Sequence, residues 1–396
     1  MNILTLDVET TTSNKGNPFD VTNKLVCIGM KWLNNPYPYI KYEEDFNLIQ
    51  AYINTADVLV GFNIKFDLHW LRRIGIDFSG KRIHDCQIGE FLLESQTNPY
   101  PSLNQACEKY GLPTKLDVVK TEYWDKGIDT DQIPREILSE YLEQDLKLTE
   151  EVYLRQVPLL QERGLMPLFR LQNLDLLVLQ EMEWNGIKFD TTKARAKAEE
   201  LDHELTNIKA ELTSLVGDAP INFNSNDHVS VLLYGGVITV DHRIPVGVYK
   251  SGAKVGQTRY KVVEKQYEFP RLVEPLKGTE TKYVKIPIEG GAFYEDKEQP
   301  THWKVNSDVL RSLKLNKQAK HIVELLSKYG EIEKLRGTYL IGYDLLITKM
   351  NWPKDMIHGN LNQTTVVTGR LSSTKPNLQN PSPVVKLFME SRYGET

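Results

Sequence analysis

The sequence predicts an α/β domain with a mixed sheet over residues 1–160. A mainly helical region, 161–396, follows, and a β-rich segment interrupts it at about 236–301. Three observations carry this reading. Strand-like and helix-like segments alternate through the first 160 residues, the pattern of an α/β layer fold. From Thr192 to Val216 apolar residues recur at steps of four and three, a 3.5-residue helical period. Between Gly236 and Thr301 the chain is rich in Gly, Pro, Val and Tyr, with Ser-Gly, Lys-Gly and Gly-Gly turns.

In order along the chain, Asn2–Asp7 and Leu25–Trp32 are apolar, β-prone runs that pair as a hairpin, and Ala56–Phe62 is a buried strand. Helices are expected at Phe66–Ile74, Ile88–Glu94, Leu103–Tyr110 and Pro134–Val157. Leu171–Trp184 is an apolar helix that Asn185-Gly186 ends. In Thr192–Val216 the periodic residues are Ala194, Ala198, Leu201, Leu205, Ile208, Leu212 and Leu215. They suit packing against a second long helix, and equally an ordinary amphipathic helix. Val309–Met350 supplies a partner, with Ile322, Leu325, Tyr329, Ile332 and Leu335 on one face.

Net charge is −5, but it is unevenly spread: 24 acids and 16 bases in residues 1–160, then 29 acids and 32 bases. The acidic part suits divalent cations, and the rest is closer to what a phosphate backbone tolerates. Within the β-rich segment, Arg243–Lys265 carries six bases against Glu264 alone, so contact with DNA backbone or an accessory protein is expected there. No apolar run approaches bilayer length, so no membrane partner is expected. The N-terminus lacks the basic region of a secretory signal. Cys27, Cys86 and Cys107 are far apart with no CxxC, which fits reduced thiols and a cytoplasmic protein.

Asp7 and Glu9 stand two apart on the first strand, so both side chains point to one face. Such a pair repels unless a cation lies between, although solvent serves as well. Asp67 ends Asn63-Ile-Lys-Phe-Asp67 at a strand-to-helix junction, where a carboxylate also suits the helix dipole. Tyr141 and Asp145 are i and i+4, on one helix face. His84 and Asp85, before a helix, read as structural.

In this order and spacing, DxE, NxxxFD and YxxxD resemble the three motifs of the tyrosine-bearing DEDD exonucleases, over about residues 1–157. The resemblance implies a ribonuclease-H-like fold and a two-metal 3′–5′ exonuclease. Hard Mg²⁺ or Mn²⁺ takes oxygen ligands, which fits Asp7, Glu9, Asp67 and Asp145 as the metal set. Asp7 would bridge both ions, Tyr141 would orient the attacking water, and Asn63 would touch the single-stranded 3′ end.

The later half resembles family A DNA polymerases, the polymerase I type, over most of 165–396. Glu183–Asp190, Ile221–Asn226 and Glu333–Tyr339 carry part of this. The most specific piece is His358 with Gln363, followed by TGRLSSTKPNLQN from Thr368 to Asn380. That block is dense in donors. Arg370 suits a forked phosphate contact, and Thr368, Ser372, Ser373 and Asn380 suit the backbone of a primer-template duplex. Gln363, Asn377 and Gln379 suit minor-groove acceptors that all base pairs share.

The resemblance implies a thumb and the start of a palm, from a phage-like enzyme working in the host cytoplasm. The palm aspartates and the fingers motif that relatives carry after this block are not in the sequence. The expectation is a proofreading exonuclease that adds no nucleotides alone, joins a C-terminal polymerase half, and meets other replisome proteins. The alternative is a non-catalytic, duplex-holding subunit of a split polymerase. Pro381–Thr396, with the β-prone run Val384–Met389, is expected to be poorly packed without that half.

Overall fold

The computed structural model describes residues 1–42, 46–115, 117–217, 219–288 and 291–391. Contacts divide them into two compact units, Met1–Lys193 with Gly342–Thr396, and Ala194–Ile341.

The first unit is built on a five-stranded mixed sheet. Its strands are β1 (Ile3–Thr10), β2 (Leu25–Trp32), β3 (Tyr39–Lys41), β4 (Val58–Gly61) and β5 (Arg82–Asp85), in the order β3-β2-β1-β4-β5. β2 pairs antiparallel with β1 and with β3, while β1–β4 and β4–β5 are parallel. The predicted pairing of the first two strands is therefore present, closed by a long connection instead of a tight turn. Helices α1 (Phe46–Thr55), α2 (Lys65–Arg73), α3 (Cys86–Leu93), α4 (Leu103–Lys109), α5 (Val118–Glu122) and α6 (Arg135–Glu162) follow. Leu4, Leu6, Ile28, Met30, Leu59, Leu68 and Trp70 form one buried cluster of this layer.

α6 is set against the sheet by its leucines and by one glycine. Leu138, Leu142 and Leu146 recur every four residues and are buried. A Cβ on Gly29 would lie 2.6 Å from Leu146 and 2.9 Å from Leu142, so only glycine lets α6 approach β2 this closely. Lys31 then reaches Glu150 across the same contact at 2.6 Å, in a buried ion pair.

The connection between β1 and β2 is organised around Asp20, which is fully buried. Its carboxylate accepts from Ser13 Oγ, Asn14 Nδ2, the Thr22 N–H and hydroxyl, and Asn351 Nδ2, at 2.6–3.1 Å. Burial pushes its pKa up, but these donors outweigh burial and bring it down to about 2. A lowered carboxyl pKa stabilises the fold above the unfolded value near 4 and stops doing so as pH falls through about 2. Urea unfolding between pH 2 and 5 is expected to show an acid limb of about 2 kcal/mol that Asp20→Asn flattens.

α7 (Met166–Asn185) ends as the Asn185-Gly186 signal predicts. Gly186 adopts φ +62°, and a Cβ there would sit 2.8 Å from the Ile357 carbonyl oxygen. The three-residue strand β6 (Ile187–Phe189) follows, then α8 (Thr191–Val216).

In the second unit, the periodic residues of α8 are buried from Ala194 to Leu212, and Leu215 is exposed. α9 (Asn226–Tyr234) leads into two antiparallel hairpins: β7 (Gly236–Val248) with β8 (Thr258–Phe269), and β9 (Glu280–Pro287) with β10 (Phe293–Trp303). Gly290 of the predicted Gly-Gly turn lies outside the described residues. The single helix expected over Val309–Met350 is instead broken. It comprises α10 (Ser307–Ser312), α11 (Lys317–Glu333), a π-helical stretch Lys334–Ile341, and α12 (Gly342–Lys349), which belongs to the first unit. The break is local chemistry: Asn306 accepts from the Val309 N–H and Asn316 from the Ala319 N–H, so each starts a new helix. α8 runs antiparallel to α11, linked to it by Glu204–Lys328 and Glu211–His321 and to the π-helical stretch by Asp202–Arg336, over a shared core of Leu205, Ile208, Leu212, Ile322 and Tyr329.

The chain returns to the first unit with β11 (Met356–Ile357), β12 (Asn360–Asn362), β13 (Ser372–Thr374), α13 (Pro383–Lys386) and β14 (Met389–Glu390). β12 pairs with β13, and β6 lies between β11 and β14. The expectation for the tail needs correcting. Val384–Met389 is not a free strand: the Ser382 hydroxyl caps a short helix there, Val385 and Phe388 are buried, and β14 pairs with β6. Residues 392–396 lie outside the described residues.

Candidate metal centre

The centre strand of the sheet, β1, presents Asp7 and Glu9 on the face that α6 covers. One oxygen each from Asp7, Glu9 and Asp145 lies within 4.8 Å of the others. Glu9 and Asp145 are buried and Asp7 is partly exposed, so the group opens on the Asp7 side. Burial and the Asp145 charge push the Asp7 carboxyl up to about 7, against a weaker downward pull from Lys115. Burial, then Asp7 and Asp145, holds Glu9 well above its ordinary range.

Asp67, in the first turn of α2, is not part of that tight triad. It sits behind it, accepting from the Val8 N–H at 3.0 Å, buried, with a pKa raised by burial and by Asp7. Asp85 holds the turn that places it. Its carboxylate accepts from the N–H groups of Asn63, Ile64, Gln87 and Ile88, so it caps α3 and fixes the start of α2 together. Burial nonetheless raises it to about 6. Asn63, at φ +61°, occupies the bend itself. His84 is buried between Tyr153 and Phe169.

One residue of the site was not anticipated from sequence. Lys115 Nζ contacts Asp145 Oδ2 and lies 3.2 Å from the Tyr141 hydroxyl and 5.1 Å from its ring centroid. Burial pulls this ammonium down, but Asp145, Tyr141 and Asp7 outweigh it and hold it well above its ordinary value. A lone lysine in a loop carries no periodicity or motif that would mark it. Tyr141 packs edge-on against Trp124, and burial raises its phenol.

The donor set fits a hard divalent cation. It is all oxygen, its carboxylates crowd one another, and Asp145 Oδ1 is buried with no hydrogen-bond partner among the described residues.

The donor-rich block after Asn360 is divided in its exposure. Thr368, Arg370, Asn377, Gln379 and Asn380 are exposed. Ser373 is buried and engaged by its own loop, donating to the Pro376 carbonyl and accepting from the Leu378 N–H. Ser372 is half-buried, and Gln363 donates to the Gln172 carbonyl at 2.9 Å. A cavity of about 300 Å³ in the same unit has Asn63, Lys65 and Gln87 on one side and Asn362, Gln363 and Lys375 on the other. Glu183, buried on α7, ties these sides together by accepting from Lys65 Nζ at 2.6 Å, His69 Nε2 at 2.8 Å and the Leu361 N–H at 2.6 Å.

Residues 283–390 match the family described as DNA polymerase family A. Curated relatives extend the similarity to DNA polymerases well beyond that segment. DNA polymerase I of Bacillus subtilis (strain 168) is 26% identical over 314 residues, covering 78% of this chain and 28% of that protein. DNA polymerase DpoZ of Acinetobacter phage SH-Ab 15497 is 22% identical over 365 residues, covering 87% of this chain and 50% of its own length. The POL domain of Pol1 from M. smegmatis, solved with DNA primer-template and dNTP, shares the fold at a TM-score of 0.63 and 14% identity, over 98% of this chain and 54% of that one. The chain thus spans about half or less of the length of these proteins. Among the described residues no helix is long and apolar enough to cross a membrane.

Proposed function

We propose that this chain is the 3′–5′ proofreading exonuclease and primer-template-binding part of a family A DNA polymerase. In this reading residues 1–160 are a ribonuclease-H-like exonuclease domain. Residues 161–396 are thumb and the start of a palm, with the hairpins of 236–301 inserted.

The convergence of Asp7, Glu9 and Asp145 on one point beneath α6 carries the proposal. These three, with Asp67, would hold two Mg²⁺ or Mn²⁺ ions, which when bound supply a hydroxide at neutral pH and stabilise the leaving 3′ oxygen. The chain's own residues do the rest. The Tyr141 hydroxyl, held 3.2 Å from Lys115, accepts a hydrogen bond from that ammonium and orients the attacking water with its own proton. Asp85 fixes the Asn63 bend, and with it Asp67 and the approach of the strand's 3′ end. Arg370, Thr368, Asn377, Gln379 and Asn380 are exposed to meet duplex backbone and minor groove.

The test is release of nucleotides from a 5′-labelled single strand. Stepwise shortening from the 3′ end with Mg²⁺ or Mn²⁺, and none with EDTA, is expected. Binding of primer-template without any shortening would favour the non-catalytic, duplex-holding reading.

Lys115 gives a second expectation, with a readout independent of turnover. Its ammonium is the only positive side chain within 4.0 Å of the Asp7, Glu9 and Asp145 carboxylates among the described residues. Lys115→Met is expected to destabilise the metal-free protein by about 2 kcal/mol, since a buried carboxylate loses its partner. It should also tighten Mn²⁺ binding in calorimetry about tenfold, since a competing cation is gone. Unchanged Mn²⁺ affinity would show that Lys115 does not share the cation position.

A further inference from the structure

The β7–β8 hairpin sorts its charges by face. Directly opposed residues of an antiparallel pair share a face, and faces alternate along each strand. The register Val240↔Lys265, His242↔Val263 and Ile244↔Lys261, with Gly247↔Arg259 beyond a bulge, puts Arg259, Lys261 and Lys265 on one face with no acid among them. The opposite face pairs Asp241 with Glu264 and carries Glu268, against Arg243 alone. Opposed like charges cost stability, so this sorting is not what folding alone selects.

The cationic face is anchored at one end and free at the other. At the hairpin base the same face is buried, through Ile238 and Phe269, in the core of the second unit. Tyr267 and His242, linked at 3.1 Å, mark where it emerges. Beyond them Lys261, Lys265 and Arg259 are exposed, and none has a carboxylate within 4.0 Å among the described residues. Arg259 and Lys261 stand two residues apart on β8, about 7 Å, and Lys261 and Lys265 four apart, about 14 Å. Cations at multiples of about 7 Å suit a ligand with regularly repeated negative charge, and a phosphate backbone is one, with a charge every 3.4 Å or so along each strand.

We infer that the Arg259–Lys261–Lys265 face of this hairpin is a sequence-independent binding strip for the phosphate backbone of duplex DNA. The inference rests on the proposed DNA-binding role but not on the nuclease site.

The experiment is fluorescence anisotropy of a labelled primer-template with the full chain in EDTA, from 50 to 300 mM salt. The first variant is Arg259→Ala, Lys261→Ala and Lys265→Ala together. The control, Arg243→Ala, Lys250→Ala and Lys254→Ala together, removes the same charge from the same hairpin but leaves the strip. Losing three phosphate contacts is expected to reduce the slope of log K against log salt by about 2.7, with the control changing it by less than about 1. Circular dichroism and urea unfolding check that both variants keep the hairpin; a variant that unfolds is replaced by its lysine-to-glutamine and arginine-to-glutamine form. Equal slopes for the two variants would overturn the strip, because net charge alone would then explain the effect. A slope unchanged from wild type would overturn it too, leaving an acidic protein as the occupant. Failure of the unmodified chain to bind primer-template at 50 mM salt would instead remove the DNA-binding reading on which the strip depends.

Discussion

The protein carrying Asp7→Ala and Glu9→Ala is expected to lose metal-dependent nuclease activity by at least about 10³-fold while becoming more stable in the absence of metal. The first half follows from removing two carboxylates of the triad, since several kcal/mol of transition-state stabilisation leave with the ions they would hold. The second half follows from the pKa directions. Asp7 is raised to about 7 and Glu9 well above its ordinary range, first by burial and then by neighbouring carboxylates. A carboxyl raised in the folded state favours the fold fully below the unfolded pKa, near 4, and loses that contribution as pH rises through the folded value, about 7 for Asp7. Metal-free wild type should therefore weaken between pH 4 and 8, and the double variant should weaken much less. Urea unfolding in EDTA at pH 5 and pH 8, beside nuclease assays in Mn²⁺, reads both. Full activity, or a variant less stable than wild type at pH 8, would sink the assignment of this triad.

Glu183→Ala should be the most damaging single substitution described here for the stability of the first unit. It removes an acceptor from Lys65, His69 and the Leu361 N–H at once, all at buried or half-buried positions. Breaking such a pair leaves an uncompensated ammonium, a loss of about 3–5 kcal/mol. Glu183→Gln keeps one acceptor and should cost less than half of that. Burial pushes the Glu183 carboxyl up, but the His69 hydrogen bond and Lys65 outweigh it and bring its pKa below the usual value. Its contribution is therefore present above the unfolded pKa and lost as pH falls through the folded one, so the gap between wild type and Glu183→Gln should close in acid. Lys65 and His69 flank Asp67 on α2, so nuclease activity should drop along with stability. Thermal unfolding across pH 4–8 checks this, and equal losses for the alanine and glutamine forms would contradict it.

What the sequence made legible, and what it hid, follows from length and locality. β1, β2, α2, α3, α4 and α6 lie within a few residues of their predicted ends, because each buries a periodic apolar face in a single layer. Spacing made legible only which side chains share a face, Asp7 with Glu9 on a strand and Tyr141 with Asp145 on a helix; that Asp7, Glu9 and Asp145 should gather was implied by the resemblance to DEDD exonucleases. The sheet formed by β6, β11 and β14 was not legible, because strands of two or three residues carry no period. The breaks before α10 and α11 rest on single asparagine caps, Asn306 and Asn316, which a forty-residue apolar pattern overrides on reading. Lys115 was hidden because its role depends on what lies across from it. So was the internal engagement of Ser373 and Gln363, whose residue types promise outward donors but whose partners are the chain's own carbonyls.

The position of β6 sets an order of events during synthesis. Ile187–Phe189 is the middle strand of its sheet, yet both neighbours, Met356–Ile357 and Met389–Glu390, are encoded about 170 residues or more downstream. At roughly 5–20 residues per second, β6 leaves the ribosome some ten to thirty seconds before β11 exists. For that interval it has an unpaired edge on each side, and the chain of the second unit is being made meanwhile. The first unit is thus topologically unable to close until the second has been threaded out completely. A ribosome stalled between Ala194 and Ile341 would present a finished five-stranded sheet beside a bare strand, and that is the point at which a nascent chain would most need a chaperone.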